Sequence, residues 1–425
     1  MMGTQEHIAA WSGLYERLGA EKMVYGPALA DGSVVEVAES FDRFEAEYAA
    51  IRQRVGVIHL PQRAVLHLTG ADVQDYLHRL CTQEINGLEG GQTVRAFQLN
   101  EKGQIAADLI VHHGDPGGGG STWLEMDVFD LPWVQELIEA RRFTEDVTAE
   151  DWAEKRTLLW LLGPAAVRLL GAVAADGEAA AAVGGSPGTH RVLSVPLNDG
   201  AAARCTAYRW DLGGVLGVRL AVPTDRSAAV YAALLAAAGY EPGGDGLADA
   251  AYAERRRASM RGRPVGWSAF NTVRIEEGVP WYHVDFGRDS LPAEVPGPCG
   301  IDGAVSFTKG CYLGQEVVAR MKSLGHPKKL LVGLRFEGAA GDEALKEDAG
   351  GIPVAGAQVL EPGEKQKVIG GVTSSTASAL RGQAGIGMAV VRWGRHTPGT
   401  RVRVPAGGRL IDAEVVGLNE LLAAG

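Results

Sequence analysis

The sequence predicts an α+β protein in which a mixed body precedes an all-β C-terminal domain of about 90–100 residues. In the body, apolar residues recur at helical spacing in some segments and form short strand-like runs in others. Beyond about residue 351, short β runs separated by glycines follow one another without a helical pattern. Such regular short strands are typical of a small antiparallel barrel or sandwich.

Each predicted element rests on a local pattern. Helices are predicted at 41–56, after the turn at 69–72, and at 131–140, 165–170, 227–238 and 248–257. Strands of the body are predicted at 65–68, 93–99, 104–112, 157–162, 192–195 and 215–222. Strands of the C-terminal domain are predicted at 359–360, 368–372, 385–391, 400–404 and 413–416.

Glycine-rich stretches separate these elements. The turn Asn100-Glu101-Lys102-Gly103 joins two of the strands as a hairpin. Residues 115–120 are predicted to be a loop tip, and no phosphate-binding G-x-x-x-x-G-K-[ST] string occurs. The Ala/Gly/Ser tract at 171–188 is predicted to be an exposed connection, and 338–351 separates the last segment.

Composition argues against several classes of protein. A net charge of −11 argues against an extensive nucleic-acid-binding surface, because phosphate binding needs clustered Lys and Arg. The 46% of hydrophobic residues argue against disorder. The four cysteines show no C-x-x-C spacing, and the histidines show no metal-ligand spacing, so no disulfide framework or metal site is expected. With no secretory pattern and no bilayer-length apolar run, we expect a cytoplasmic protein.

Residues 306–320 contain the highest density of side chains suited to catalysis or binding. Lys309-Gly310-Cys311-Tyr312 supplies an ammonium, a flexible backbone point, a thiol and a phenol in four residues. Gly314-Gln315-Glu316 then opens a helix, whose start offers free N–H groups and a positive dipole end. This setting suits an anion and lowers a nearby thiol pKa, and Lys309 acts in the same direction. The alternative is that Cys311 is a small buried hydrophobe.

Two further clusters carry charge among apolar residues. Arg274 and Glu276 alternate, so they share one face if their segment is a strand; the alternative is a surface ion pair of little energetic consequence. Asp108 interrupts the apolar run 104–112. An inward Asp108 is paired or functional, and an outward one is merely solvated.

Together these segments resemble the YgfZ-type folate-binding proteins, relatives of the glycine-cleavage T-protein, an aminomethyltransferase. The string Lys-Gly-Cys-Tyr-x-Gly-Gln-Glu at 309–316 is a specific signature of that family. Residues 272–278 resemble its T-(L/V)-R-(L/I)-E-x-G element, and 99–111 resemble its L-N-x-x-G hairpin. The likeness covers about 25–416 and is weakest across 165–204.

The resemblance implies a fold, a ligand and a set of site residues. The fold would be a cloverleaf of two α+β folate-binding domains and a C-terminal antiparallel β-barrel. The implied boundaries are 1–24 for an N-terminal extension, 25–325 for the folate-binding region with an Ala/Gly-rich connection near 171–190, and 326–425 for the barrel. Tetrahydrofolate, or a one-carbon folate, would occupy a central channel. The folate-binding candidates are Asn100, Arg274, Glu276, Tyr312, Gln315, Glu316 and Arg320, and the catalytic candidates are Cys311, Lys309 and Asp108.

Two departures separate the branches of this superfamily. The T-protein hairpin carries two successive acidic residues, the first taken as catalytic, whereas this chain has Ala107-Asp108. A methyl group cannot orient or protonate a folate nitrogen. The T-protein's Gly-Tyr-Thr-Gly-Glu element is also missing at 208–214, where Asp211 is the available substitute. Both departures favour the YgfZ-type branch.

Three functional hypotheses follow. The first is a tetrahydrofolate-binding accessory factor for iron–sulfur cluster assembly or repair, and so for tRNA thiomethylation enzymes. Its partners would be iron–sulfur proteins or their assembly factors, with no direct nucleic-acid contact and no membrane. The second is a folate-dependent aminomethyl or methyl transferase in which Asp108 replaces the missing acid. The third is a folate-free structural module that reuses the fold.

Overall fold

A computed structural model describes residues 2–115, 119–185, 187–240, 260–323, 325–338, 351–364 and 366–423. The chain forms two compact units. The first comprises residues 1–77, 85–95 and 109–270, and the second comprises 78–84, 96–108 and 271–425. Within the described ranges, no helix is both long enough and apolar enough to cross a membrane.

A five-stranded sheet includes the predicted hairpin. Its strands, in spatial order, are β5 (Gln92–Leu99), β6 (Ile105–Asp115), β7 (Gly119–Asp127), β4 (Arg63–Thr69) and β8 (Thr148–Asp151). The turn between β5 and β6 closes with Gly103 donating its N–H to the Asn100 carbonyl, at a φ of +72° that favours glycine. The hairpin predicted from 93–99 and 104–112 is therefore confirmed.

A six-stranded sheet forms the second layer of the first unit. Its strands, in spatial order, are β10 (His190–Pro196), β11 (Ala202–Arg209), β12 (Gly217–Pro223), β9 (Arg156–Leu162), β3 (Gly56–His59) and β13 (Arg263–Pro264). All pairings are antiparallel except the short β13–β3 pair. Strand β9 is buried from Thr157 to Leu162, as its continuous apolar run predicts.

Helices cover this sheet and complete its core. They are α1 (Met2–Leu18), α5 (Ala166–Val173), α6 (Gly177–Gly185) and α7 (Thr224–Ala237). Helix α7 confirms the prediction at 227–238, because Val230, Tyr231 and Leu234 are fully buried. The remaining elements of this unit are α2 (Phe44–Gln53), α3 (Val73–Leu80), which continues into the second unit, α4 (Leu131–Arg141) and the β1 (Glu21–Tyr25)–β2 (Val35–Ser40) pair.

The tract at 171–188, predicted to be an exposed connection, is exposed at about half of its described residues, but it is helical and contributes to the core. Helix α6 occupies half of this tract, and Ala180 and Val183 are fully buried in the core. Alanine is the best helix former, and small side chains let α6 approach α5 closely. A Cβ on Gly184 would lie 2.8 Å from Val167. The small residues of this tract therefore allow close packing on the one face of α6 that is buried.

The C-terminal region of the second unit is a closed six-stranded barrel. Its strands, in order around the barrel, are β14 (Lys329–Phe336), β17 (Ala384–Arg392), β16 (Val368–Ser378), β15 (Gln358–Leu360), β18 (Arg401–Ala406) and β19 (Arg409–Val416). Every pairing is antiparallel. Buried aliphatic residues such as Leu334, Val391 and Val404 fill the interior. The α+β fold with a C-terminal antiparallel barrel is thus confirmed.

Short helices and turns precede the barrel. These are α8 (Trp267–Glu276), which begins in the first unit, α9 (Ile301–Ala304), α10 (Gln315–Ser323) and the 3-10 turn Pro292–Glu294. Two further 3-10 turns lie within and after the barrel: Ala379–Arg381 between β16 and β17, and Leu418–Glu420 after β19. Helix α10 confirms the helix start predicted at Gly314-Gln315-Glu316. The helix predicted at 248–257 lies outside the described residues, as do most of 338–351 and part of the 115–120 loop tip.

Candidate functional site

The candidate site of the second unit begins with Lys309, which is only 7% exposed. Its Nζ donates to the carbonyl oxygens of Cys81 at 2.6 Å, Gln83 at 3.0 Å and His78. An ammonium has three N–H donors, and all three are used here. Burial lowers the pKa of Lys309. Lys309 therefore fastens its loop to the segment 78–84.

A second set of bonds holds the same loop. The Thr82 hydroxyl donates to the Ala304 carbonyl at 2.5 Å, and the Ser306 N–H donates to the Thr82 carbonyl at 2.9 Å. Tyr312 is buried, its ring lies 5.2 Å from the Lys309 Nζ, and burial raises its pKa to about 12. The loop is thus fixed at both ends by buried groups.

Cys311 is exposed between these two anchors. The alternative of a small buried hydrophobe is therefore wrong for this residue. Cys81 and Cys205 are buried instead, and burial raises the pKa of each thiol to about 12. Because the thiolate is the reactive form, these two thiols are poor nucleophiles. Cys299 has intermediate exposure.

The start of helix α10 lies next to the hairpin turn. A Cβ on Gly314 would lie 3.0 Å from the Asn100 carbonyl oxygen and 3.1 Å from the Gly103 Cα. Asn100 shapes that turn, because its Oδ1 accepts the N–H groups of Lys102 and Gln104 at 2.9 and 3.0 Å. The structure thus brings together two segments that the sequence separates by about two hundred residues.

The polar residues of α10 face solvent to different degrees. Gln315 is half-buried. Glu316 and Arg320 are exposed and pair across one helical turn, with 2.6 Å between the Arg320 Nη2 and the Glu316 Oε1. Such an exposed pair contributes little to stability. These three side chains are therefore accessible to a ligand.

Arg274 and Glu276 are neither on a strand nor in a surface pair, so both readings of this cluster are wrong. They lie on helix α8 and are 0% and 2% exposed. The helix ends at Glu276, and Gly278, whose φ is +65°, follows with a Val279 N–H to Arg274 carbonyl bond typical of a glycine C-cap. A Cβ on Gly278 would lie 2.0 Å from the Leu418 carbonyl oxygen.

Arg274 belongs to a buried polar network. Its Nη1 donates to the Asp285 Oδ2 at 2.6 Å, and its Nε donates to the Asn271 Oδ1 at 2.9 Å. Asp285 also accepts the hydroxyls of Thr373 and Ser374 at 2.7 and 2.6 Å. Among the described residues, the buried Arg274 Nη2 has no hydrogen-bond partner. The network ties α8 to barrel strand β16.

Glu276 makes a parallel link to the same strand. Its Oε1 accepts the Ser378 hydroxyl at 2.7 Å. Thr272, four residues and about one helical turn earlier on α8, hydrogen-bonds the Thr376 hydroxyl at 2.8 Å. The residues of the T-x-R-x-E-x-G element therefore share an architectural role within this unit.

Sequence reasoning missed Asp285, the centre of the Arg274 network. An aspartate inside the aromatic run 281–286 is the signal that was available, since a buried carboxylate needs a partner. Asp108 is 7% exposed on β6, so it takes the inward alternative, next to a fully buried Ala107.

The first unit contains Asp211, the predicted substitute for the missing glutamate. Its carboxylate accepts the Arg209 Nε at 3.0–3.1 Å and the Gly217 N–H at 2.9 Å. A second charged residue, Glu125, is fully buried and is held by Arg63, Arg219 and the Tyr208 hydroxyl. The arginines keep the pKa of Glu125 low despite burial, which by itself raises it.

Comparison with known proteins gives the family. Residues 15–256 match the GCVT N-terminal domain, more than half of the chain, and residues 331–419 match the glycine cleavage T-protein C-terminal barrel domain. The chain belongs to the GCVT family. Within this family, the YgfZ-type assignment stays a prediction.

Curated GCVT relatives are similar along almost the whole chain. The aminomethyltransferase of Moorella thermoacetica is 26% identical over 427 residues, covering 97% of this chain and 95% of that protein. The aminomethyltransferase of Prosthecochloris aestuarii is 26% identical over 380 residues, covering 88% and 89%. The solved glycine cleavage system aminomethyltransferase T from Bartonella henselae has a TM-score of 0.71 at 19% identity, covering 97% of both chains, and so shares the fold.

Proposed function

We propose that this chain binds tetrahydrofolate and acts as an accessory factor in iron–sulfur cluster assembly or repair. The observation that carries the proposal is the exposure of Cys311 on a loop whose neighbouring groups, Lys309 and Tyr312, are buried anchors. A thiol held in this way suits contact with a partner protein. Because a cluster needs more thiols than Cys311 supplies locally, any cluster contact would be shared or transient.

Folate binding is supported by family membership, since GCVT aminomethyltransferases use tetrahydrofolate. The candidate residues differ in availability. Gln315 and Glu316 at the start of α10 and Arg320 in its last turn are accessible, whereas Glu276 is bonded to Ser378. The buried Nη2 amino group of Arg274 has no hydrogen-bond partner among the described residues. We therefore expect folate contacts from α10, with Glu276 serving the fold.

Ala107 supports an accessory role rather than catalysis. The resemblance places the catalytic acid of the T-protein at this position, and a methyl group can neither donate nor accept a proton. Asp108 is the next residue of the same strand, so its side chain lies on the opposite face of the sheet from that of Ala107 and does not take its place. Cytoplasmic iron–sulfur proteins, rather than nucleic acid, are the expected partners.

Aminomethyl or methyl transfer is the second candidate, and the comparisons favour it. The curated relatives cited above are named aminomethyltransferases, and one of them matches 97% of this chain. In that case Asp108 would have to supply the acid that Ala107 lacks. The two candidates therefore make opposite predictions for Asp108 and Cys311.

The test is complementation in a strain that lacks this protein. The readout is the activity of an iron–sulfur enzyme such as aconitase after re-expression of the wild type or of Cys311→Ala, Asp108→Asn or Cys299→Ala. We expect restoration by all except Cys311→Ala, with Cys299→Ala as the matched thiol control. Restoration by Cys311→Ala would contradict the proposal. Folate-dependent glycine cleavage lost only in Asp108→Asn would establish the transferase instead.

A further inference from the structure

A cavity of about 220 Å³ opens between the two sheets of the first unit. Strands β4 and β7 line one side, and β9 to β12 line the other. None of its lining residues belongs to the candidate site described above. The cavity is therefore separate from the candidate site.

Aromatic rings with fixed positions form part of the wall. His67 stacks on Trp152 at 3.8 Å between ring centroids, with 12° between the planes. Trp123 stacks in the same way on the buried His112 at 3.5 Å. Burial lowers the pKa of both histidines, so these rings are neutral at neutral pH. The cavity thus has preorganised, uncharged ring faces.

Two arginines give the cavity its charge. Arg156 and Arg204 line it, and the described lining residues include no carboxylate. The Arg156 guanidinium lies 5.2 Å from the Trp152 ring centroid, a cation–π contact that orients it. A guanidinium has five N–H donors, so an arginine that already has a partner in the protein can still bind an anion. In a chain with a net charge of −11, two guanidinium groups at one cavity favour an anion.

The size of the cavity limits the ligand. A cavity of about 150 Å³ holds benzene, so about 220 Å³ has room for one ring and a small substituent. Guanidinium groups bind carboxylates through paired N–H···O bonds. The Ser121 hydroxyl on β7 and the Thr206 hydroxyl on β11 line opposite sides of the cavity, and either can bond a polar ring substituent.

We propose that this cavity binds a small aromatic carboxylate, with the carboxylate on Arg156 and Arg204 and the ring against Trp123. The proposal is independent of folate binding, because it uses none of the folate candidates. Its chemistry requires both a negative charge and a flat ring, and these two requirements can be tested separately.

The experiment is calorimetric titration of the full chain with benzoate, supported by quenching of tryptophan fluorescence. Arg204 is exposed, so Arg204→Gln should fold normally. We expect saturable benzoate binding that Arg204→Gln weakens about tenfold or more, or about 1.4 kcal/mol. Arg226→Gln is the matched control, since Arg226 is a surface residue of the same unit paired with Asp199. It should leave the affinity unchanged.

Two further probes separate the parts of the proposal. Cyclohexanecarboxylate keeps the charge without the flat ring, and inorganic phosphate keeps only an anion. Both should bind at least about tenfold more weakly than benzoate. The proposal is overturned if benzoate shows no saturable binding to the wild type, if Arg204→Gln binds it equally well, or if phosphate binds as tightly as benzoate.

Discussion

Helix α8 and the loop at 306–312 are both signature segments, yet they use their polar residues in opposite ways. In α8, Arg274 and Glu276 are buried and bonded to Asp285 and Ser378. In the loop, the buried Lys309 anchors the backbone and leaves Cys311 exposed. The difference teaches that a charged residue in a motif can serve the fold, while a neighbouring residue of the same motif stays accessible at the surface.

The largest expected effect is at Arg274. Arg274→Met leaves Asp285 buried without its cation, and breaking a buried ion pair in this way costs about 3–5 kcal/mol. Urea denaturation measures the loss in the free energy of unfolding. The control is Arg320→Met, which removes a surface pair and should cost less than about 1 kcal/mol. Equal losses in the two variants would remove the contrast between the segments.

A substitution at Lys309 tests whether the buried charged residue of the loop also stabilises the fold. Lys309→Met leaves the carbonyls of His78, Cys81 and Gln83 without their donor, and we expect a loss of about 3 kcal/mol. Urea denaturation of the variant and of the wild type measures this difference in the free energy of unfolding. If the variant is as stable as the wild type, Lys309 does not anchor the loop and is available for chemistry beside Cys311.

Two glycines sharpen the comparison further. Gly278→Ala forces a positive φ on alanine and a clash with the Leu418 carbonyl, so we expect a loss of about 2 kcal/mol or more. Gly310→Ala adds a methyl group where nothing lies within 4 Å, and should be tolerated. Thermal unfolding of the two variants side by side checks this. A greater loss in Gly310→Ala would contradict the structure of the loop.

The smallest effect concerns the buried thiol beside the anchor. Burial raises the pKa of Cys81 from 9.0 to about 12, so between these values the folded state keeps a proton that the unfolded state loses. Stability is therefore retained below pH 9 and falls as the pH rises through this window. Relative to Cys81→Ala, the wild type should lose about 1.4 kcal/mol between pH 8 and 10. A pH-independent difference would show that Cys81 ionises normally in the folded chain.

Local patterns predicted most of the fold. The hairpin turn at Asn100, the apolar run of β9 and the glycine-separated strands of the barrel each carry their own signal, so short windows sufficed. The segment 271–278 was ambiguous, because its short alternating charges fit a strand as well as a helix. The tract at 171–188 was misjudged because alanine-rich composition suits both an exposed connection and a closely packed helix.

The polar contacts of the site were much harder to predict. Lys309 is bonded to backbone carbonyls, which every residue carries, so no sequence pattern marks its partners. Asp285 draws its partners from α8 and from β16, about ninety residues further along the chain. Exposure of Cys311 likewise depends on long-range packing rather than on its neighbours in sequence.

The most direct test of the proposed function is thermal unfolding with and without tetrahydrofolate. A ligand at about 100 times its dissociation constant adds about 2.7 kcal/mol of stability. The account predicts a clear rise in melting temperature that Asp108→Asn and Cys311→Ala both retain and that changes at Gln315 or Arg320 reduce. No shift at saturating tetrahydrofolate would contradict folate binding and would leave a structural module that reuses the fold.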